Sequence, residues 1–132
     1  MIIIDKSSMR PYYEQIILGI KEDILHGIYL PGEKIPSVRE MASLLLMNPN
    51  TVSKAYKALE EQEVIITVRG KGTFVNKVNS QPDQRQLKQL KQNMSELVIE
   101  ALYLNLSEAD IKAWVTEAAQ SIGGHHETNK FK

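Results

Sequence analysis

Two helix-start signals stand only eleven residues apart, at Ser37 and Asn48, and they leave the chain between them little freedom. In Pro36-Ser37-Val38-Arg39-Glu40 the serine oxygen can accept from the N–H three residues on, while the glutamate reaches back to the serine N–H. Pro36 keeps such a helix from extending backwards, because a proline disfavours helical geometry in the residue before it. In Asn48-Pro49-Asn50-Thr51 the asparagine caps a second helix, and proline takes its first position, where a missing N–H costs nothing. The first helix must therefore end near Leu45 to Met47, and the next begins at once and runs to about Gln62. Two short helices joined by a tight turn are the necessary result.

The flanking segments extend the pattern. Upstream, Pro11 suits the first position of a helix whose Tyr13, Ile16, Ile17, Ile20 and Ile24 share one face, with Gly27 as its cap. Ile28 to Leu30 is expected to pair as a short strand before the chain reverses at Pro31-Gly32. Downstream, VIITVRGKGTFVNKV alternates β-formers around Arg69-Gly70-Lys71-Gly72, which predicts a hairpin with a positive-φ turn. Three helices followed by a hairpin is the order of a winged helix-turn-helix.

On a wheel, Val52, Ala55, Tyr56 and Leu59 of the third helix fall in a sector roughly 100° wide, a buried stripe. Asn50, Ser53, Lys54 and Lys57 fall opposite, with no acid before Glu60. Asparagine can present a donor and an acceptor together to an adenine edge, and lysine reaches phosphate or guanine. The helix N-terminus adds free N–H groups and a dipole that favour phosphate. Arg69 and Lys71 flank glycines that permit close approach to a backbone or a narrow minor groove. The net charge is zero, but residues 34–77 hold seven lysines and arginines against four glutamates. A neutral total thus hides a basic region over the helix-turn-helix and hairpin. A winged helix used for protein interaction, with the tail docking onto a partner, is also compatible with this charge.

Residues 77–85, KVNSQPDQR, are polar and helix-poor and make the best linker. Beyond them Leu87, Leu90, Met94, Leu97, Ala101 and Leu104 are spaced 3-4-3-4-3, an a/d heptad pattern. Asn105-Leu106-Ser107 breaks it, and Ser107 with Asp110 makes a capping box with Asp in place of Glu. A last helix places Ile111, Trp114, Val115, Ala118 and Ile122 on one side; Gly123-Gly124 ends it, and HHETNKFK is expected to fray. The fold class expected is mainly α with a small β-hairpin wing. A winged helix-turn-helix domain occupies 1–78, and a two-helix dimerisation segment occupies 79–132.

Four separate runs resemble one family: PYYEQI, PGEKIPSVRE, NPNTVSKAYKALE and RGKGTFV. Together they make residues 10 to 75 similar to the DNA-binding domain of GntR-type bacterial transcription regulators, and the short tail resembles the YtrA subfamily. The resemblance implies a homodimeric regulator, most often a repressor, bound to a double-stranded DNA operator of its own or a transporter-type operon. It implies DNA contacts from Arg39, from Asn48, Asn50, Thr51, Ser53 and Lys54, and from Arg69, Gly70 and Lys71; Ser37 and Lys57 are expected to join them. It also implies dimerisation through the two tail helices. This chain departs from the family at Pro49 and Ser53, where relatives carry basic residues, so base reading should lean on Asn50, Lys54 and Arg39. Leu45-Leu46-Met47 lacks the glycine common in that turn.

Other chemistry finds little support. No run approaches the roughly 18 apolar residues of a membrane span, and MIIIDKSS has no basic n-region, so a cytoplasmic protein is expected. Without cysteine there is no disulfide or thiolate site. His26 reads as a residue at a helix end, and His125-His126 lack further ligands, so neither a metal nor any other cofactor is expected, and no enzyme chemistry. Tyr12, Tyr13 and Tyr56 read as packing, with a hydroxyl reaching phosphate as a second option. Whether an effector small molecule binds is open.

Overall fold

A computed structural model describes residues 2–77 and 82–123. These residues form two compact units, one on each side of 78–81. The first unit holds α1 (Tyr12–Leu25), β1 (Lys34–Ile35), α2 (Val38–Leu45), α3 (Pro49–Glu61), β2 (Ile65–Val68) and β3 (Gly72–Val75). The strands make one antiparallel sheet with β3 in the centre. Ile65 pairs with Val75 and Val68 with Gly72, while Lys34 lies opposite Phe74.

The strand expected at Ile28–Leu30 is found instead at Lys34–Ile35. The chain must complete its Pro31-Gly32 reversal before it can run beside β3. The Glu33 N–H donates to the Leu30 carbonyl at 2.9 Å, closing the turn. Gly32 N–H then donates to the Val75 carbonyl, and Val75 N–H to the Glu33 carbonyl, each at 2.9 Å. Pro11 is likewise one residue outside α1 rather than in its first position. Its backbone is extended (φ −57°, ψ 149°), and its carbonyl accepts from Glu14 and Gln15.

Ile16 and Ile20 of α1, Met41 and Ala42 of α2, and Val52, Ala55, Tyr56 and Leu59 of α3 form the core with Ile35, Ile65 and Val75. Tyr13, Ile17 and Ile24 pack against it half-buried. Burying such side chains stabilises by about 1.5–3 kcal/mol each before entropy is counted. Ile2 also belongs to this core, a role that nothing in the sequence pattern announced. It lies against Gly19, where a Cβ would come within 2.9 Å of Ile2 Cγ1. Gln15 ties the N-terminal arm to α1: its Nε2 donates to the Asp5 and Arg10 carbonyls, and its Oε1 accepts from Asp5 N–H.

Four helices end alike. A residue in the left-handed region, Gly27, Leu46, Glu63 or Asn105, follows α1, α2, α3 or the first tail helix. The next N–H returns to a carbonyl five residues back: Ile28 to Asp23, Met47 to Ala42, Val64 to Leu59 and Leu106 to Ala101, at 2.8–3.1 Å. This is the Schellman arrangement, in which glycine is the favoured left-handed residue. Only one of the four has it.

The second unit holds α4 (Gln84–Tyr103) and α5 (Glu108–Gly123). Asp83 caps α4 by accepting from Arg85 N–H at 3.0 Å, so the helix already occupies the end of the expected 77–85 linker, and 78–81 lie outside the described residues. Ser107 and Asp110 exchange both bonds of the predicted capping box, at 2.9 and 3.1 Å. The Ser107 backbone N–H foremost, and after it the Ser107 hydroxyl, lower the pKa of the Asp110 carboxyl. Leu104 lies just past α4 as its cap rather than within it. The expected fraying of HHETNKFK lies outside the described residues.

Candidate nucleic-acid interface

The interface is built on one internal bond. Tyr56, on the buried face of α3, donates its hydroxyl to the Pro36 carbonyl at 2.6 Å. That bond fixes the start of α2 against the middle of α3, and it commits the hydroxyl inward, so Tyr56 does not reach toward phosphate. Burial, first of all, pushes its phenol well above the ordinary tyrosine range.

At the start of α2 the capping box forms as predicted. Ser37 Oγ accepts from Glu40 N–H at 3.1 Å, and Glu40 Oε1 accepts from Ser37 N–H at 2.8 Å. The serine oxygen is therefore occupied as an acceptor. The Ser37 backbone N–H, and after it the Ser37 hydroxyl, lower the pKa of the Glu40 carboxyl. Arg39 beside it is exposed.

Asn48 caps α3 by accepting from Asn50 N–H at 2.8 Å. The Asn48 carbonyl accepts from Thr51 and Val52, and Pro49 has no N–H. The first turn thus spends its donors internally, contrary to the expected set of free N–H groups, and anion binding must come from side chains and the dipole. Asn50, Ser53, Lys54 and Lys57 are exposed on the outer face, whereas Thr51 is half-buried. The Lys54 Nζ lies 3.9 Å from the centroid of the Tyr13 ring.

The wing brings Arg69, Gly70 and Lys71 to an exposed turn, with Lys71 N–H donating to the Val68 carbonyl at 2.9 Å. Lys34, which the sequence showed only as part of the basic region and not as a contact residue, joins them from β1. Its stem crosses Gly72 so closely that a Cβ there would lie 2.6 Å from Lys34 Cε. Only the pairing of β1 with β3 reveals this third wing cation.

The tail presents a different surface. No residue of α4 is buried. Met94, Leu97, Ala101 and Leu104 face Ile111, Trp114, Val115 and Ala118 across an apolar groove of about 440 Å³. Leu97 remains 63% exposed and Trp114 57%. Leu87 and Leu90, earlier on the same stripe, are also exposed.

A helix-turn-helix with a basic wing, and with no acid on its second helix before Glu60, matches known proteins. The family model of bacterial regulatory proteins, gntR family, covers residues 12–75. The HTH-type transcriptional repressor YtrA of Bacillus subtilis (strain 168) is 41% identical over 94% of this chain and 96% of its own. The chain belongs to the GntR family.

The family's likeness extends through the tail. A transcriptional antiterminator from Listeria monocytogenes EGD-e has the same fold at TM-score 0.89 and 43% identity, covering 93% of this chain and 92% of its own. The DNA-binding domain of AraR, solved in complex with operator ORX1, matches 55% of this chain and 90% of its own at TM-score 0.50 and 33% identity. This GntR-family protein is a transcription regulator with a winged helix, mainly α with a small three-stranded sheet, as its sequence predicted. Among the described residues no cluster of His, Cys, Asp or Glu could hold a metal ion, and no helix is long and apolar enough to cross a membrane.

Proposed function

We propose that the protein is a homodimeric, cytoplasmic repressor that acts by binding a near-palindromic double-stranded operator, not by catalysis. The observation that carries this reading is the two-faced α3. Val52, Ala55, Tyr56 and Leu59 are buried, while Asn50, Ser53, Lys54 and Lys57 are exposed, as are Arg69, Gly70 and Lys71 of the wing. α3 enters the major groove, with Asn50, Lys54 and Arg39 reading base edges. Ser37, Asn48, Thr51, Ser53 and Lys57 hold register against phosphates and sugars, and the wing follows the backbone or minor groove.

Dimerisation uses the apolar stripe of α4 and the facing side of α5, through Leu87, Leu90, Met94, Leu97, Ala101, Leu104, Ile111, Trp114, Val115 and Ala118. A helix pair that leaves such side chains open to water gains by closing them against a second copy. The regulated genes are its own or a transporter-type operon, in keeping with the resemblance of the tail to the YtrA subfamily.

Selection of duplexes from a random-sequence pool by the full chain tests this function. The expected product is a palindrome whose half-sites lie about one helical turn apart, roughly 10 bp. A pool with no enriched duplex would refute the DNA-binding function, and a sedimenting monomer at micromolar concentration would refute the dimer.

A further inference from the structure

Lys54 differs from the other cations of the interface in having an aromatic partner. Among the described residues it is the cation held over a ring, with Nζ 3.9 Å from the Tyr13 centroid. That ring is not a loose neighbour. Tyr13 stands in the first turn of α1 and packs half-buried against the core, which is the same core that seats α3. Its hydroxyl makes one long contact, donating to Glu14 Oε2 at 3.4 Å, so the ring face and not the hydroxyl meets the lysine.

The negative face of an aromatic ring attracts an ammonium, and the attraction survives partial exposure. A free lysine has four rotatable bonds, and fixing them on binding DNA costs conformational entropy. Over Tyr13 much of that freedom is already lost before DNA arrives. One side of the ammonium faces the ring, which leaves its remaining donors for a phosphate or a guanine edge.

We propose that Tyr13, outside the helix-turn-helix itself, is a positioning residue for DNA recognition: its ring holds the Lys54 ammonium in the binding geometry. This rests on the DNA-binding function assigned to α3. The expected gain is about two- to fivefold in affinity per half-site, the range for a cation–π contact at an exposed site. In a symmetric dimer with two such sites it multiplies to about four- to twenty-fivefold.

The test is a double-mutant cycle on the full chain, using the duplex that the wild-type protein itself enriches from a random pool. Tyr13→Leu keeps an apolar packing group and removes the ring; Tyr13→Phe keeps the ring; Lys54→Met keeps the stem and removes the charge. Tyr13→Leu should weaken binding by the stated factor, Tyr13→Phe should bind like wild type, and Tyr13→Leu should cost nothing further in a Lys54→Met background. Equal weakening in both backgrounds would make Tyr13 a packing residue only and overturn the proposal. So would tighter binding by Tyr13→Leu, which would mean that the ring sequesters the lysine, or weakening by Tyr13→Phe equal to that by Tyr13→Leu. If wild type enriches no duplex at all, the DNA-binding function fails and takes this inference with it. If wild type binds and the cycle shows no coupling, only the inference fails.

Discussion

Replacing Leu46 by glycine should stabilise the winged-helix unit, although it removes a large apolar side chain. Leu46 sits in the turn between α2 and α3 at φ 53° and ψ 52°, in the left-handed region. An L-residue there carries a strain of about 1–2 kcal/mol, from its Cβ approaching the following carbonyl oxygen. Glycine escapes the strain but loses about 0.5–1 kcal/mol more backbone freedom on folding. The side chain offers little in return, being 92% exposed. The difference is a gain of about 0.5–1 kcal/mol, which for a unit of this size raises Tm by about 2–8 °C. Gly27 supplies the mirror experiment: it holds the same position after α1 at φ 79°, with nothing within 4 Å of where a Cβ would stand. Gly27→Ala should therefore lose about what Leu46→Gly gains, through conformation alone. Urea melts followed by circular dichroism at fixed protein concentration would read both as midpoint shifts with an unchanged slope. A Leu46→Gly variant no more stable than wild type, with the slope intact, would refute the idea that backbone strain outweighs the other effects at this turn. It would mean that the exposed leucine stabilises through contacts that its burial does not reveal.

Four other changes probe the interface. Lys71→Ala should make the log affinity versus log salt slope shallower by about 0.9 if it neutralises one phosphate, and an unchanged slope removes Lys71 from the contacts. Lys34→Ala, on the strand beside the wing, should do the same without altering the melt; a slope identical to wild type would show that its place over Gly72 has no role in binding. Asn50→Ala should relax preference at a particular base pair by about 1–3 kcal/mol, and uniform weakening on all sequences would refute base reading. Ser37→Ala should cost about 1 kcal/mol of stability by removing the cap. Glu40 has a folded pKa below its ordinary 4.5, so its bonds contribute fully above that value and are lost as pH falls through the lower folded one. The acid arm of a stability–pH curve should accordingly be shallower in Ser37→Ala; an unchanged arm would separate Glu40 from the cap.

The elements of the winged helix were legible because their signals are local. A serine cap with glutamate three residues on, or asparagine before proline, satisfies orphan N–H groups within a single turn, so the sequence displays the cause directly. The buried stripe of α3 follows from spacing alone. What escaped depends on residues far apart in the chain. Ile2 is core because Gly19 makes room for it, and Lys34 reaches the wing because β1 pairs with β3 across some forty residues of sequence. Tyr13 and Lys54 meet because α1 packs on α3. The misplaced strand has the same origin: Ile28–Leu30 has better β-formers than Lys34–Ile35, but pairing is decided by where the reversal delivers the chain. The left-handed leucine was visible as a missing glycine, and only the returning Met47 N–H shows why the backbone accepts it.

The two units meet the cost of folding in different ways. In the winged helix every element turns an apolar face to one core, and Tyr56, Gln15 and the paired strands anchor the pieces, so the unit is complete in itself. The tail has no equivalent. α4 buries no side chain, and helices of 20 and 16 residues are at the edge of stability in water without packing. Its capping bonds at Asp83, Ser107 and Asp110 set where the helices begin, but each is worth only about 1 kcal/mol. The apolar stripe therefore has to be covered for the tail to be as ordered as its caps imply. On the proposed dimer, the covering group is the same stripe of a second copy. Order in the tail, self-association and simultaneous grip on two half-sites then become one linked equilibrium, in which dilution weakens all three together. A regulator built this way needs no ligand pocket to switch. Any change that loosens the tail by a few kcal/mol costs the second half-site, and with it the avidity that joining two weak sites provides.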